Sequence, residues 1–234
     1  MSGPDLQFSW RRLQASEAGL AHGVHLLAIA DQAFGLVRPD ELPHFVAHTD
    51  AGGQAGVIIG CFCHAAAITA GLAGKMVAYG VLGMNSATSA HMADLLNVPP
   101  SANGRFAILD GVACLPAWRG YGLHRDSIQA RLTHAHSLGR TLIGATVSPE
   151  NTVSLRGLME AGFLVTNFAM MYGGLARFIL QKNLELPAAA WSLEQKIDTC
   201  NRSAHQAALA LGLSAFACGQ AGSGNWQLHY GYRI

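Results

Sequence analysis

The chain carries almost no net charge: fifteen lysines and arginines stand against fourteen aspartates and glutamates. That balance favours neither nucleic acid nor an anionic membrane, so any anion site has to be local. CxxC spacing is absent too, and the five cysteines, at 61, 63, 114, 200 and 218, are odd in number. Free thiols in a reducing compartment fit that usage better than a disulfide framework. Cys61, Cys63 and His64 are close enough to suggest a metal, but the alternation through GVIIGCFC reads as a strand, and no metal is expected. The opening MSGPDLQFSWRRLQ lacks a basic start followed by an apolar run, so a cytoplasmic protein is expected. The run from Ala51 to Gly74 has no formal charge and is long enough to span a bilayer. It contains six glycines and His64, and reads instead as buried strand, loop and the approach to a second strand. Neither an internal repeat nor a low-complexity tail is read.

What is present suffices for a substantial core, since 234 residues bury much of their surface on folding. An edge-type strand is expected over Phe8–Glu17, a helix from Ser16 to Phe34, and a short second helix in RPDELPHFVAH. Strands follow near 55–63, 75–83 and 105–115, with one helical turn in the polar connection before Pro99 and Pro100. A helix over 122–138, capped by Gly139, leads to the strand TLIGATV, so strand, helix and strand form one crossover with a parallel pair. Thr152–Glu160 reads as a short helix stopped by Gly162, and FLVTNFAMMY and ARFILQKNL as two more strands. Beyond Pro187 an Ala-rich helix over 191–212 and a last strand, WQLHYGY, are expected. The predicted organisation is a core domain over 1–184 and an extension over 185–234, packed on that domain or on a partner subunit.

The segment WRGYGLHR, Trp118 to Arg125, lies between the strand RFAILDGVACLP and a helix with Leu123, Ile128, Leu132, Ala135 and Leu138 at helical spacing. A glycine-containing turn in that position aims backbone N–H groups and the positive end of a helix dipole at one spot, which suits a pyrophosphate.

Two blocks then resemble a family, the GNAT superfamily of acyl-CoA-dependent N-acyltransferases. CLPAWRGYGL matches its Arg/Gln-x-x-Gly-x-Gly/Ala turn after a strand, and SPENTVSLRGLMEAGF matches its Asn, short helix and closing Gly-Phe. The blocks cover about residues 105–165, and the order of elements extends the likeness to about 8–180. The resemblance implies a mixed, mostly antiparallel sheet with a parallel pair at the cofactor site, flanked by helices, with a C-terminal helix-strand appendage. It implies acetyl-CoA or a related acyl-CoA as co-substrate, held by Arg119, Gly120, Tyr121, Gly122, Leu123, His124 and Arg125 at the pyrophosphate. Backbone groups at Val112 and Cys114 would pair with the pantetheine arm, with Asn151 and Ser154 beside it. The implied activity is direct transfer of an acetyl or other short acyl group to a primary amine of a small molecule. Nucleic acid and membrane are not expected as partners, and a homodimer fits the fold.

His124 stands where the family has Gly or Ala, and Leu158 where many members carry a Tyr acid. The two departures motivate an alternative, a CoA-binding regulatory protein with weak or no catalysis. Asp110 interrupts an apolar strand two and four residues before Val112 and Cys114, and is the candidate base for the amine. His134 and His136 cannot share a helix face and read as solvent or boundary residues; Tyr172, beside Gly173, reads as a turn aromatic. Cys114 reads as a small buried residue, since direct transfer needs no acyl-enzyme.

Overall fold

The computed structural model describes residues 7–30, 40–49, 54–64 and 74–234. They form two compact units: Met1–Ser86 with Asp110–His134, and Ala87–Leu109 with Ala135–Ile234.

In the first unit β1 (Gln7–Arg12), β2 (Gly56–His64) and β3 (Met76–Gly83) pair antiparallel, from Gln7↔His64 to Arg12↔Ile59 and from Gly56↔Gly83 onward. All of β3, and β2 up to Cys63, are buried, so GVIIGCFC is a strand, but one covered on both faces rather than the half-buried strand that an alternating pattern implies. Helices α1 (Ala18–Ile29) and α2 (Leu42–Thr49) put Ala21, Val24 and Phe45 against Ile58, Tyr79 and Val81. The expected first helix extends to Phe34, and its last residues fall outside those described. The same holds for residues 51–53 and 65–73 of the long uncharged run, whose described part holds β2. Among the described residues no helix is long and apolar enough to cross a membrane.

The connection at Ala87–Leu95 is a full helix, α3, rather than one turn. Strand β4 (Phe106–Cys114) contributes its first half to the second unit, where Phe106–Leu109 pair in parallel with Leu142–Ala145 of β5 (Leu142–Val147). Its second half belongs to the first unit, where Leu115 N donates to Val77 O at 2.9 Å. α4 (Leu123–Ser137) buries Leu123, Ile128, Leu132 and Ala135, the expected apolar positions; Leu138 lies past its end and is exposed.

The second unit holds α5 (Thr152–Glu160), β6 (Leu164–Met171), β7 (Leu175–Asn183), β8 (Gln195–Asp198), α6 (Arg202–Ala210), β9 (Ser214–Gln220) and β10 (Trp226–Gly231). Its sheet runs β4-β5-β7-β6-β9-β10-β8, and β4–β5 is the parallel pair of an otherwise antiparallel set among the described strands. The helix expected over 191–212 is corrected: β8 occupies its first half, α6 is nine residues long, and β9 follows it. The appendage is therefore strand, helix, strand, strand.

That order overturns the expectation of no repeat. β5-α5-β6-β7 and β8-α6-β9-β10 are the same unit, fifty residues apart in their caps, Asn151 and Asn201. Each Asn side chain accepts from the backbone N–H three residues on, at 3.2 Å in both, and each helix stops at a glycine with positive φ, Gly162 at 85° and Gly212 at 79°. The buried positions match as well: Leu158 and Ala208, Phe163 and Leu213, Phe178 and Leu228, Leu180 and Tyr230. From β5 to β8 the strand order reads the same in either direction, and the two copies join where Val165 of β6 faces Ala215 of β9. These two are equivalent residues, so the junction lies on a pseudo-twofold axis within one chain.

Candidate functional site

The turn after β4 is built from local chain geometry. Pro116–Trp118 make one 3-10 turn, Arg119 is extended, and Gly120 and Gly122 take φ of 86° and 77°. A side chain at either would be strained in that left-handed region, which is why glycine recurs at alternate positions here. The first helical bond of α4 runs from Asp126 N to Gly122 O, so the amides before Asp126 lie ahead of the helical ladder at the positive end of the helix dipole. That is a fitting cradle for a diphosphate.

Side chains around the turn fix it in place. Trp118, Tyr121 and Phe8 of β1 meet edge-on or tilted with ring centres 5.8 to 6.2 Å apart. Arg119 Nη2 donates to Ala28 O at 2.9 Å, tying the turn to the negative end of α1. Part of the guanidinium that the resemblance assigns to the pyrophosphate is thus committed to the protein. Arg125 forms an exposed pair with Asp126 at 3.3 Å, which is worth little in water and leaves it able to turn toward an anion.

His124 is half-buried, not a solvent-facing residue, and burial pushes its pKa down to about 4 with Arg131 adding repulsion. It is neutral at pH 7 and can donate an N–H but brings no charge. Burial also lowers the pKa of His134, His205 and His229. A histidine whose folded pKa lies below its unfolded value takes up its proton more readily when unfolded, so its contribution to stability is present above the unfolded value, 6.5, and lost as pH falls below it. For His124 that loss spans about pH 6.5 to 4. Urea unfolding across this range should show stability falling by up to about 1.4 kcal/mol per pH unit for each proton taken up. His124→Gln should flatten the slope; an unchanged slope would mean the ring is solvated.

Asp110 and Cys114, four residues apart on β4, have different neighbours. Cys114 packs against Cys61, Val77 and Leu123, and burial raises its pKa to about 11, so it is a thiol and no nucleophile at neutral pH. Asp110 offers a carboxylate oxygen within 4.8 Å of His44 and His48 of α2. Behind it lies a residue that the helical pattern did not single out: Arg131 of α4, 1% exposed, is the largest of the fully buried side chains among the described residues. Its guanidinium donates to Val81 O at 3.2 Å, Asp110 O at 3.3 Å and Ser127 O at 3.2 Å. Burial lowers its pKa to about 10, offset in part by Asp110, and it stays charged. A second network lies close by. His25 Nε2 accepts from Asp40 N at 2.9 Å, which leaves the ring proton on Nδ1 to donate to Tyr79 Oη at 2.8 Å.

No family model matches the chain, and no curated protein matches it. Solved structures do. Diaminobutyrate acetyltransferase EctA from Paenibacillus lautus, solved with L-2,4-diaminobutyric acid and coenzyme A, aligns over 80% of this chain and 100% of its own, at 13% identity and TM-score 0.52. YncA from Salmonella typhimurium, solved with acetyl-CoA, aligns over 78% and 96%, at 16% identity and TM-score 0.55. The ribosomal-protein-S18-alanine N-acetyltransferase from Escherichia coli aligns over 78% and 97%, at 14% identity and TM-score 0.51. The chain has the GNAT acetyltransferase fold. Nearly all of each neighbour is matched by about four-fifths of this chain.

Within the GNAT fold the second unit carries the Asn block. Asn151 Oδ1 caps α5 through Ser154 N, as Asn201 caps α6, so helix capping alone accounts for the Asn. Leu158 is 4% exposed on the inner face of α5, where it packs as core and offers no proton.

Proposed function

We propose that the protein is an acyl-CoA-dependent N-acyltransferase that moves an acetyl or other short acyl group directly onto a primary amine of a small molecule. The observation that carries this reading is the pair of left-handed glycines, Gly120 and Gly122, opening into the N-terminus of α4 directly after β4. Amides from Arg119 to Arg125, including those of Tyr121, Leu123 and His124, would hold the pyrophosphate. Val112 and Cys114 would offer backbone groups to the pantetheine amides, with Asn151 and Ser154 assigned to the same arm by the resemblance.

Bound acyl-CoA supplies the acyl group already activated as a thioester. The chain's own residues then bind, orient and manage protons, and orientation alone can be worth roughly 7–11 kcal/mol. Asp110 would accept the amine's proton, directly or through water. With Leu158 buried, the departing sulfur would take its proton from water. A small amine is favoured over a polycationic acceptor by the scarcity of acids in 20–50 and 165–234. Residues 185–234 would be an extension of the acyltransferase domain, and the protein would work in the cytoplasm.

Calorimetry with acetyl-CoA, followed by thiol release over a panel of primary amines, tests the proposal. Binding at one site per chain with release on at least one small amine is expected. Binding without release on any amine would favour the regulatory reading that the buried Leu158 motivates. Loss of both binding and release would overturn each.

A further inference from the structure

His44 and His48 lie one turn apart on α2, and the ligand atoms of these two and of Asp110 fall within 4.8 Å of one another. We infer that His44, His48 and Asp110 form a binding site for a divalent transition-metal ion.

His48 carries the argument. It is 3% exposed, and its Nδ1 lies 2.7 Å from His44 O. A carbonyl oxygen can only accept, so Nδ1 bears a proton, and in the neutral ring that tautomer leaves Nε2 as a bare lone pair. That Nε2 is buried and has no hydrogen-bond partner. Leaving a buried acceptor unsatisfied is costly, and the same lone pair is what a metal ion needs. A ring held by Nδ1–H to a backbone carbonyl, with Nε2 turned to the ion, is the arrangement that orients metal-bound histidines. The spacing suits this as well. Residues i and i+4 share a helix face, and the two rings sit 4.3 Å apart, tilted by 40°.

The donor set selects the ion. Two imidazoles and one carboxylate suit zinc, iron, cobalt or nickel better than calcium or magnesium, which prefer all-oxygen shells. Bonds of about 2.0–2.1 Å would place tetrahedral ligands roughly 3.4 Å apart, so donors within 4.8 Å need only small side-chain shifts. Three protein ligands leave a position for water or another molecule. Asp40 Oδ2 stands 4.0 Å from His44 Nε2 and adds a second negative charge at the edge of the site. An ion here would bridge α2 to β4 inside the first unit. The inference does not rest on the acyltransferase reading, but an ion would take the carboxylate which that reading assigns to the amine's proton.

The test uses the full-length chain, stripped with chelator and dialysed free of it, without CoA. Zinc titration by calorimetry should show one equivalent per chain, and cobalt(II) should give the intense visible bands of a four-coordinate site with nitrogen and oxygen ligands. His48→Ala and Asp110→Asn should each weaken zinc binding at least 100-fold. Exposed His136→Ala should leave it unchanged. Asp110→Asn preserves volume, so it decides the matter even if His48→Ala does not fold. Absence of zinc binding to the wild-type chain overturns the site. So does wild-type affinity in folded Asp110→Asn, since the ion would then be held elsewhere.

Discussion

Replacing Asp110 with Asn in metal-free protein is expected to lower kcat about 100- to 1,000-fold while leaving acetyl-CoA affinity within about twofold. A positioned general base contributes about 10²–10⁴-fold, and 100- to 1,000-fold corresponds to about 2.7–4.1 kcal/mol of barrier. The exchange keeps size and shape but removes the proton acceptor. Backbone geometry should survive, because the Asp110 carbonyl that Arg131 holds is left in place by the exchange. The cradle amides lie on α4 and the turn before it, so cofactor binding has no reason to change. Steady-state kinetics at saturating substrates, with calorimetry for acetyl-CoA, separates the two quantities. A kcat within twofold of wild type would remove Asp110 from the chemistry, and a parallel loss of acetyl-CoA affinity would make it a structural residue.

Gly80→Ala is expected to destabilise the protein by roughly 3–5 kcal/mol, far more than a methyl group ordinarily costs. A Cβ at this point of β3 would lie 2.5 Å from Ser127 Oγ, 2.7 Å from Arg131 Nε and 2.9 Å from Arg131 Cδ. These atoms cannot swing into solvent, because Ser127 and Arg131 are buried and the guanidinium is held by three carbonyls. Overpacking costs about 1–3 kcal/mol, and a buried charge torn from its partners costs about 3–5 kcal/mol. Urea unfolding of both proteins measures the difference. In an Arg131→Met background the methyl should cost less than half as much, since a thioether chain can move aside. A cost below about 1 kcal/mol in the wild-type background would show that Arg131 has room to move.

The shape of the turn after β4 was legible because everything that sets it is contiguous: a strand end, two glycines and a helix start, within Leu115 to Arg125. Arg131 was not, because a helical period counts apolar positions and is silent about a charge placed among them. His44 and His48 show their spacing openly in HFVAH, but their third partner is a strand residue more than sixty positions on, which no local pattern supplies. The repeat was hidden by divergence. Its copies share Asn151 with Asn201, Gly162 with Gly212 and Gly174 with Gly224, while the buried positions keep only their apolar character. β8, with the sequence QKID, is a short strand with little alternation, so the Ala-rich stretch after it drew the helix boundary too early.

The junction of Val165 with Ala215 gives this chain a freedom that two identical subunits lack. In a symmetric dimer each substitution at the interface is made on both sides of the axis. Here each side is encoded separately. His205 meets Phe178 edge-on at 4.8 Å and bonds Tyr230 at 3.0 Å, whereas the positions related by the axis are Leu155, Leu228 and Leu180, all apolar and buried. One half thus carries a protonatable ring where the other carries a hydrocarbon. Protonation of that ring therefore acts on a single side of the axis, at a junction that dilution cannot separate.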